Sequence, residues 1–80
     1  MECNLLPMHQ LPPGKRARVK TMNCRGNTRR RMLDLGIIHG TEIELLMRSP
    51  SGDPSAYFIR GAVIALRADV ASLIMVGISM

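Results

Sequence analysis

Eighty residues leave room for one small domain, and a chain of that size buries only roughly 60% of the surface its unfolded form exposes. With 46% hydrophobic and 21% charged residues it has the composition of a globular chain rather than a disordered segment. Its longest apolar stretches, such as Ala62-Val63-Ile64-Ala65-Leu66, fall far short of the roughly 20 residues that cross a bilayer.

A formal charge of +5 draws the chain to acidic surfaces, whether nucleic acid, lipid headgroups or protein. Tyr57 and Phe58 are its only aromatic residues, which argues against nucleic acid, since single-strand binders stack bases on several rings. Residues 1–10 lack a basic segment followed by a long apolar run, so no export signal is expected and a cytoplasmic chain without membrane insertion is the simplest reading. Cys3 and Cys24 are the only cysteines and stand far apart, without the paired spacing of a zinc site.

In chain order, residues 1–10 have no clear period and read as a loosely ordered lead-in to a domain over residues 11–77, with 78–80 as a tail. Pro12-Pro13-Gly14 is a turn. Residues 16–22 then alternate, with Ala17, Val19 and Thr21 on one face and Arg16, Arg18 and Lys20 on the other. Asn27 or Thr28 can cap a short helix ending at Gly36, which would dock through Met32, Leu33 and Leu35. Ile37 would pack back on Met32 across the glycine.

After a second glycine turn at Gly40, a strand over 41–47 places Ile43, Leu45 and Met47 inward and Leu46 outward. Met75 is likewise expected to face inward. A loop of turn formers, 49–55, leads to strands 56–59 and 62–66, joined by a tight hairpin at Arg60-Gly61. Asp69 opens a single helical turn through Ala71, and residues 73–76 form a last strand. Five strands and one short helix predict a mainly β fold, an SH3-like barrel, with Gly14, Gly36, Gly40 and Gly61 at its structural turns.

The contact surface is expected where a local rule is broken. Arg29, Arg30 and Arg31 sit in what reads as the first helical turn, at the positive end of the dipole, and Asp34 sits near the negative end. That arrangement costs about 0.3–1 kcal/mol per exposed charge and points to an acidic partner. Leu46, with Ile38 or Tyr57 beside it, would add apolar contact, so Arg29, Arg30, Arg31, Leu46 and Tyr57 are the expected partner-binding residues. The stripe of Arg16, Arg18 and Lys20 is better explained by ion pairing with Glu42 and Glu44 on a neighbouring strand than by phosphate binding. His9, His39, Cys3 and Cys24 are too scattered for a metal site. No Ser/His/Asp, Cys/His or paired-carboxylate constellation is discernible, so catalysis is not expected.

Several pieces in this order carry a likeness: Leu11-Pro12-Pro13-Gly14, Arg30-Arg31-Met32-Leu33-Asp34-Leu35-Gly36-Ile37 with Gly40, Gly52-Asp53-Pro54, Ile59-Arg60-Gly61, and Ala65-Leu66-Arg67 with Ala71 and Ile74 to Val76. Together they resemble the FeoA family of small bacterial ferrous-iron uptake proteins. The resemblance implies an SH3-like fold, no catalytic site, no identifiable cofactor of its own, and a role beside FeoB, a membrane ferrous-iron transporter with a G-protein domain. Any association with ferrous iron follows from the resemblance alone. Similar domains also end metal-responsive repressors, so a nucleic-acid-binding module or a repressor remnant is the alternative, although this chain lacks a helix-turn-helix reader.

Overall fold

In the computed structural model residues 5–78 are described. Alternation over residues 16–22 produces β2 (Arg16–Met22), and a three-residue β1 (Leu5–Pro7) precedes it, followed by a 3-10 turn at Met8–Gln10. Then come α1 (Gly26–Asp34), β3 (Glu42–Arg48), β4 (Ser55–Ile59), β5 (Ala62–Leu66), the single-turn α2 (Ala68–Ala71) and β6 (Ile74–Ile78). The fold is mainly β, as expected, with six strands among the described residues rather than five.

The strands run in the order β1-β6-β2-β3-β4-β5, every neighbouring pair antiparallel. The ladder does not close into a full barrel: β1 and β5 stand at its two edges. The extra strand comes from the segment expected to be a loose lead-in. Leu5, Leu6 and Pro7 pair with Gly77, Val76 and Met75. Met8 and Leu11 behind them are fully buried, so their removal from water holds this segment against β6. Cys3 and the ends of the expected lead-in and tail, residues 1–4 and 79–80, lie outside the described residues.

Two bulges account for the side chains that depart from simple alternation. Between Val19 and Thr21 the pairing of β2 with β6 slips by one residue, and between Leu45 and Met47 that of β3 with β4 does the same. An extra residue at a bulge hands every later side chain to the opposite face. Thr21 and Met47, both expected inward, are therefore exposed, Met47 to 60%. Of the other methionines expected inside, Met32 is fully buried and Met75 half-buried. The core gathers Ala17, Val19, Ile43, Leu45, Ile59 and Val76 from the strands, with Met32, Ile37 and Cys24 from the segment around α1.

Candidate partner-binding surface

The end of α1 is built as a hydrophobic joint. Gly36, at φ +88°, takes the left-handed conformation that terminates the helix without the penalty a Cβ would bring. Its N–H donates to the Leu33 carbonyl at 3.0 Å, and the Ile37 N–H donates to the Met32 carbonyl at 2.9 Å. These two bonds make a Schellman motif, and the buried side chains of Met32 and Ile37 supply its apolar contact.

Thr41, expected as the first residue of a strand, instead locks the loop that follows. Its hydroxyl donates to the Gly36 carbonyl at 2.9 Å and accepts the Ile38 N–H at 3.1 Å. Loss of that hydroxyl would strand two partly buried partners, at about 1–3 kcal/mol. β2 holds the same loop from outside: Gly40 N–H donates to Val19 O, Val19 N–H to Thr41 O, and the Arg18 guanidinium to Gly40 O at 3.1 Å.

The helix begins earlier than the sequence implies. Arg25 is its N-cap without a side-chain cap bond, and the Arg25 carbonyl accepts from Arg29 N–H at 3.4 Å. Asn27 and Thr28 thus lie inside the first turn and do not cap it. Arg29, Arg30 and Arg31 move toward the middle and end of α1, and Arg31 reaches the last turn, where the dipole favours a cation. The expected dipole penalty on these arginines is removed. All three are exposed, and none joins a salt bridge among the described residues. Of the expected docking residues Met32 is buried, Leu35 is half-buried and Leu33 is 40% exposed, while Ile38 just past the cap is 46% exposed. The end of the basic helix therefore carries apolar surface as well as charge.

Leu46 is exposed to 41%, on the bulge of β3. Tyr57 is not at the surface: it is fully buried in β4, opposite Leu45 on one side and Ile64 on the other. The expected apolar patch combining it with Leu46 does not form, because inward alternation in β4 assigns Ser55, Tyr57 and Ile59 to the core.

Burial pushes the Tyr57 hydroxyl above its ordinary pKa of 10.0, with Ser55 and Arg48 acting in the opposite direction. The folded chain thus keeps a proton that the unfolded chain would release. The contribution of this group to stability is complete below about pH 10 and is lost as the pH rises through the folded-state value. Urea midpoints measured from about pH 8 to 11 should fall with pH in the parent and less steeply in Tyr57→Phe. Equal slopes would contradict a buried hydroxyl. Because Tyr57 is the sole tyrosine, its ultraviolet titration reports the ionisation directly.

The basic stripe of β2 faces its expected partners, Arg16 opposite Glu44 and Arg18 opposite Glu42. Arg16 and Glu44 pair at 3.7 Å, whereas Arg18 is turned to the Gly40 carbonyl. Next to them lies a shallow groove of about 420 Å3, lined by Arg16, Glu42, Glu44, Phe58, Arg60 and Gly61 among others. Arg60 and Gly61 form the two-residue β4–β5 turn, both with positive φ, +50° and +84°, the primed geometry whose twist suits a tight hairpin. The Arg60 stem lies over Gly36: a Cβ there would collide with Arg60 Cδ. In the sequence Arg60 reads only as a turn residue and Thr41 only as a strand start; a Thr five residues beyond a capping glycine is the one signal for the latter's locking role.

A family model for the FeoA domain matches residues 6–77. The chain belongs to the FeoA family. Among solved structures it is similar to the FeoA protein from Chlorobium tepidum, with 31% identity and a TM-score of 0.88 over 94% of this chain and 71% of that one. It is also similar to Stenotrophomonas maltophilia FeoA complexed with zinc, with 26% identity and a TM-score of 0.74 over 86% of each chain. That protein is described as a prokaryotic SH3 domain protein with a suggested role as a bacterial ferrous iron transport activating factor. The expected SH3-like fold therefore holds. T. acidophilum IdeR shares the fold at 21% identity and a TM-score of 0.82, over 99% of this chain and 36% of that one. Comparison with curated proteins gave no match.

In this FeoA-family chain no three His, Cys, Asp or Glu side chains converge among the described residues. His39 is exposed in the loop before Gly40, Cys24 is a buried thiol, and His9 lies in the 3-10 turn. No helix among the described residues is long and apolar enough to cross a membrane.

Proposed function

We propose that this FeoA-family chain is a non-catalytic cytoplasmic accessory of ferrous iron uptake that binds the cytoplasmic side of a FeoB-type membrane transporter and modulates it. The observation that carries this reading is the surface of α1, where Arg29, Arg30 and Arg31 are exposed without acidic partners among the described residues. Beside them Leu33 and Ile38 are partly exposed. Three exposed cations around apolar side chains suit an acidic protein surface with a small apolar centre. The Schellman joint and the Thr41 hydroxyl fix the backbone beneath that surface, so association has to order side chains but not a loop.

The repressor-derived alternative is weaker. A groove-reading module needs two helices joined by a short turn, and among the described residues α1 and α2 are separated by three strands. The test is association of the purified chain with a detergent-solubilised ferrous-iron transporter. Binding that weakens as salt rises past about 0.1 M, where the screening length is near 10 Å, is the expected result. No association at low salt, with recovery of nucleic acid instead when the chain is purified from cells, would refute the reading.

A further inference from the structure

The sheet has two edges, and they are finished differently. The edge strand β1 ends in Pro7, a residue that blunts an edge against unwanted pairing. β5 has no such device. Ala62–Leu66 contains no charge, no proline and no glycine, and its register with β4 runs unbroken from Ile59↔Ala62 to Ser55↔Leu66. Among the described residues β4 is its only strand neighbour.

The hairpin decides which backbone groups are left over. In a two-residue loop the flanking residues, here Ile59 and Ala62, form a hydrogen-bonded pair. Alternation then turns the N–H and C=O of Ala62, Ile64 and Leu66 toward β4, and those of Val63 and Ala65 outward. Side chains continue the same site across the sheet face. Val63, 65% exposed, stands opposite Phe58, 43% exposed. Ala65 stands opposite Ala56, which faces the exposed Met47. An apolar strip thus runs from the open edge onto β4 and β3.

Charge selects the occupant. The strand is bracketed by Arg60 and Arg67, both exposed. Two acids lie near the Arg67 end and neither forms a salt bridge with it among the described residues: Asp53 accepts the Ala68 N–H at 2.7 Å, and Asp69 sits in the first turn of α2. A second copy added about a two-fold axis at Ile64 would set each Arg67 beside the turn carrying the other copy's Arg60, a like-charge contact at both ends. We propose that the outer edge of β5 receives an extended segment of another protein, apolar in its centre and acidic at both ends, as a seventh strand. Cations at both ends of β5 admit either strand direction. This edge would act whichever protein α1 engages.

The test uses synthetic peptides with alternating valine and threonine cores, ending in aspartate pairs or in lysine pairs, arrayed with several core sequences. Expected are selective retention of aspartate-ended peptides, at least about tenfold over the lysine-ended ones, and slowed amide exchange at Val63 and Ala65 when they bind. Val63→Pro removes an outward donor and no bond to β4, and should abolish retention while amide spectra of β2 and β3 stay unchanged. Should that variant misfold, Arg67→Glu provides the second reading, with at least a threefold loss of the preference for aspartate ends. Equal retention of both peptide types, retention of none, exchange unchanged at Val63 and Ala65, or self-association of the free chain through β5 would each overturn the proposal.

Discussion

Replacing Tyr57 by alanine is expected to destabilise the fold by about 3–5 kcal/mol, the range for removing a large aromatic side chain from a core. Globular chains hold roughly 0.05–0.15 kcal/mol per residue, or about 4–12 kcal/mol for a domain of this size, so the loss takes a large share of the stability and should lower the unfolding midpoint steeply. Tyr57 is fully buried and lies in one row with Leu45 and Ile64, on three successive strands. Its ring therefore joins β3, β4 and β5. Tyr57→Phe keeps the ring and should cost only about 1 kcal/mol, the net worth of a typical hydrogen bond. Urea unfolding followed by circular dichroism separates the two variants. An alanine variant with an unchanged midpoint would mean that the core is not organised around this ring.

Reversing Arg29 and Arg30 to glutamate should leave the fold nearly intact and remove most of the affinity for the transporter. Both side chains are exposed and without salt bridges among the described residues, and surface substitutions of this kind usually change stability by less than about 0.5 kcal/mol. Binding answers differently, because each reversal replaces attraction to an acidic surface by repulsion. At low salt a combined loss of about 10- to 100-fold is expected, falling mostly on the association rate. The same pair of substitutions should leave the β5 edge unaffected, since both lie on α1. Unchanged transporter binding would take the contact away from α1.

How much was legible depended on range. The helix stop at Gly36, the return of Ile37 onto Met32 and the tight turn at Arg60-Gly61 could each be read from a handful of adjacent residues, because left-handed backbone is cheap only for a few residue types. Inward alternation at Ala17, Val19, Ile43 and Leu45 was legible for the same local reason. The family likeness rested on these pieces, and the match over residues 6–77 agrees with it.

Longer-range pairing decided the rest. Thr21 and Met47 point outward because a bulge precedes each, and a bulge is decided by what the neighbouring strand offers. Leu5 to Pro7 looked structureless because its period appears only when β6, some seventy positions later, is laid beside it. Arg29, Arg30 and Arg31 seemed misplaced against the dipole until the helix start moved back to Gly26.

By itself the sequence determined where this chain turns, that every strand after the first extends, and that its surface would be basic, because φ preference, side-chain alternation and charge belong to a residue and its immediate neighbours. Tertiary structure alone decided that Tyr57 is core and not contact, that Arg60 lies across Gly36, and that one sheet edge is blunted while the other stays open. Burial and edge exposure are set by residues distant in sequence, which only the folded chain brings together.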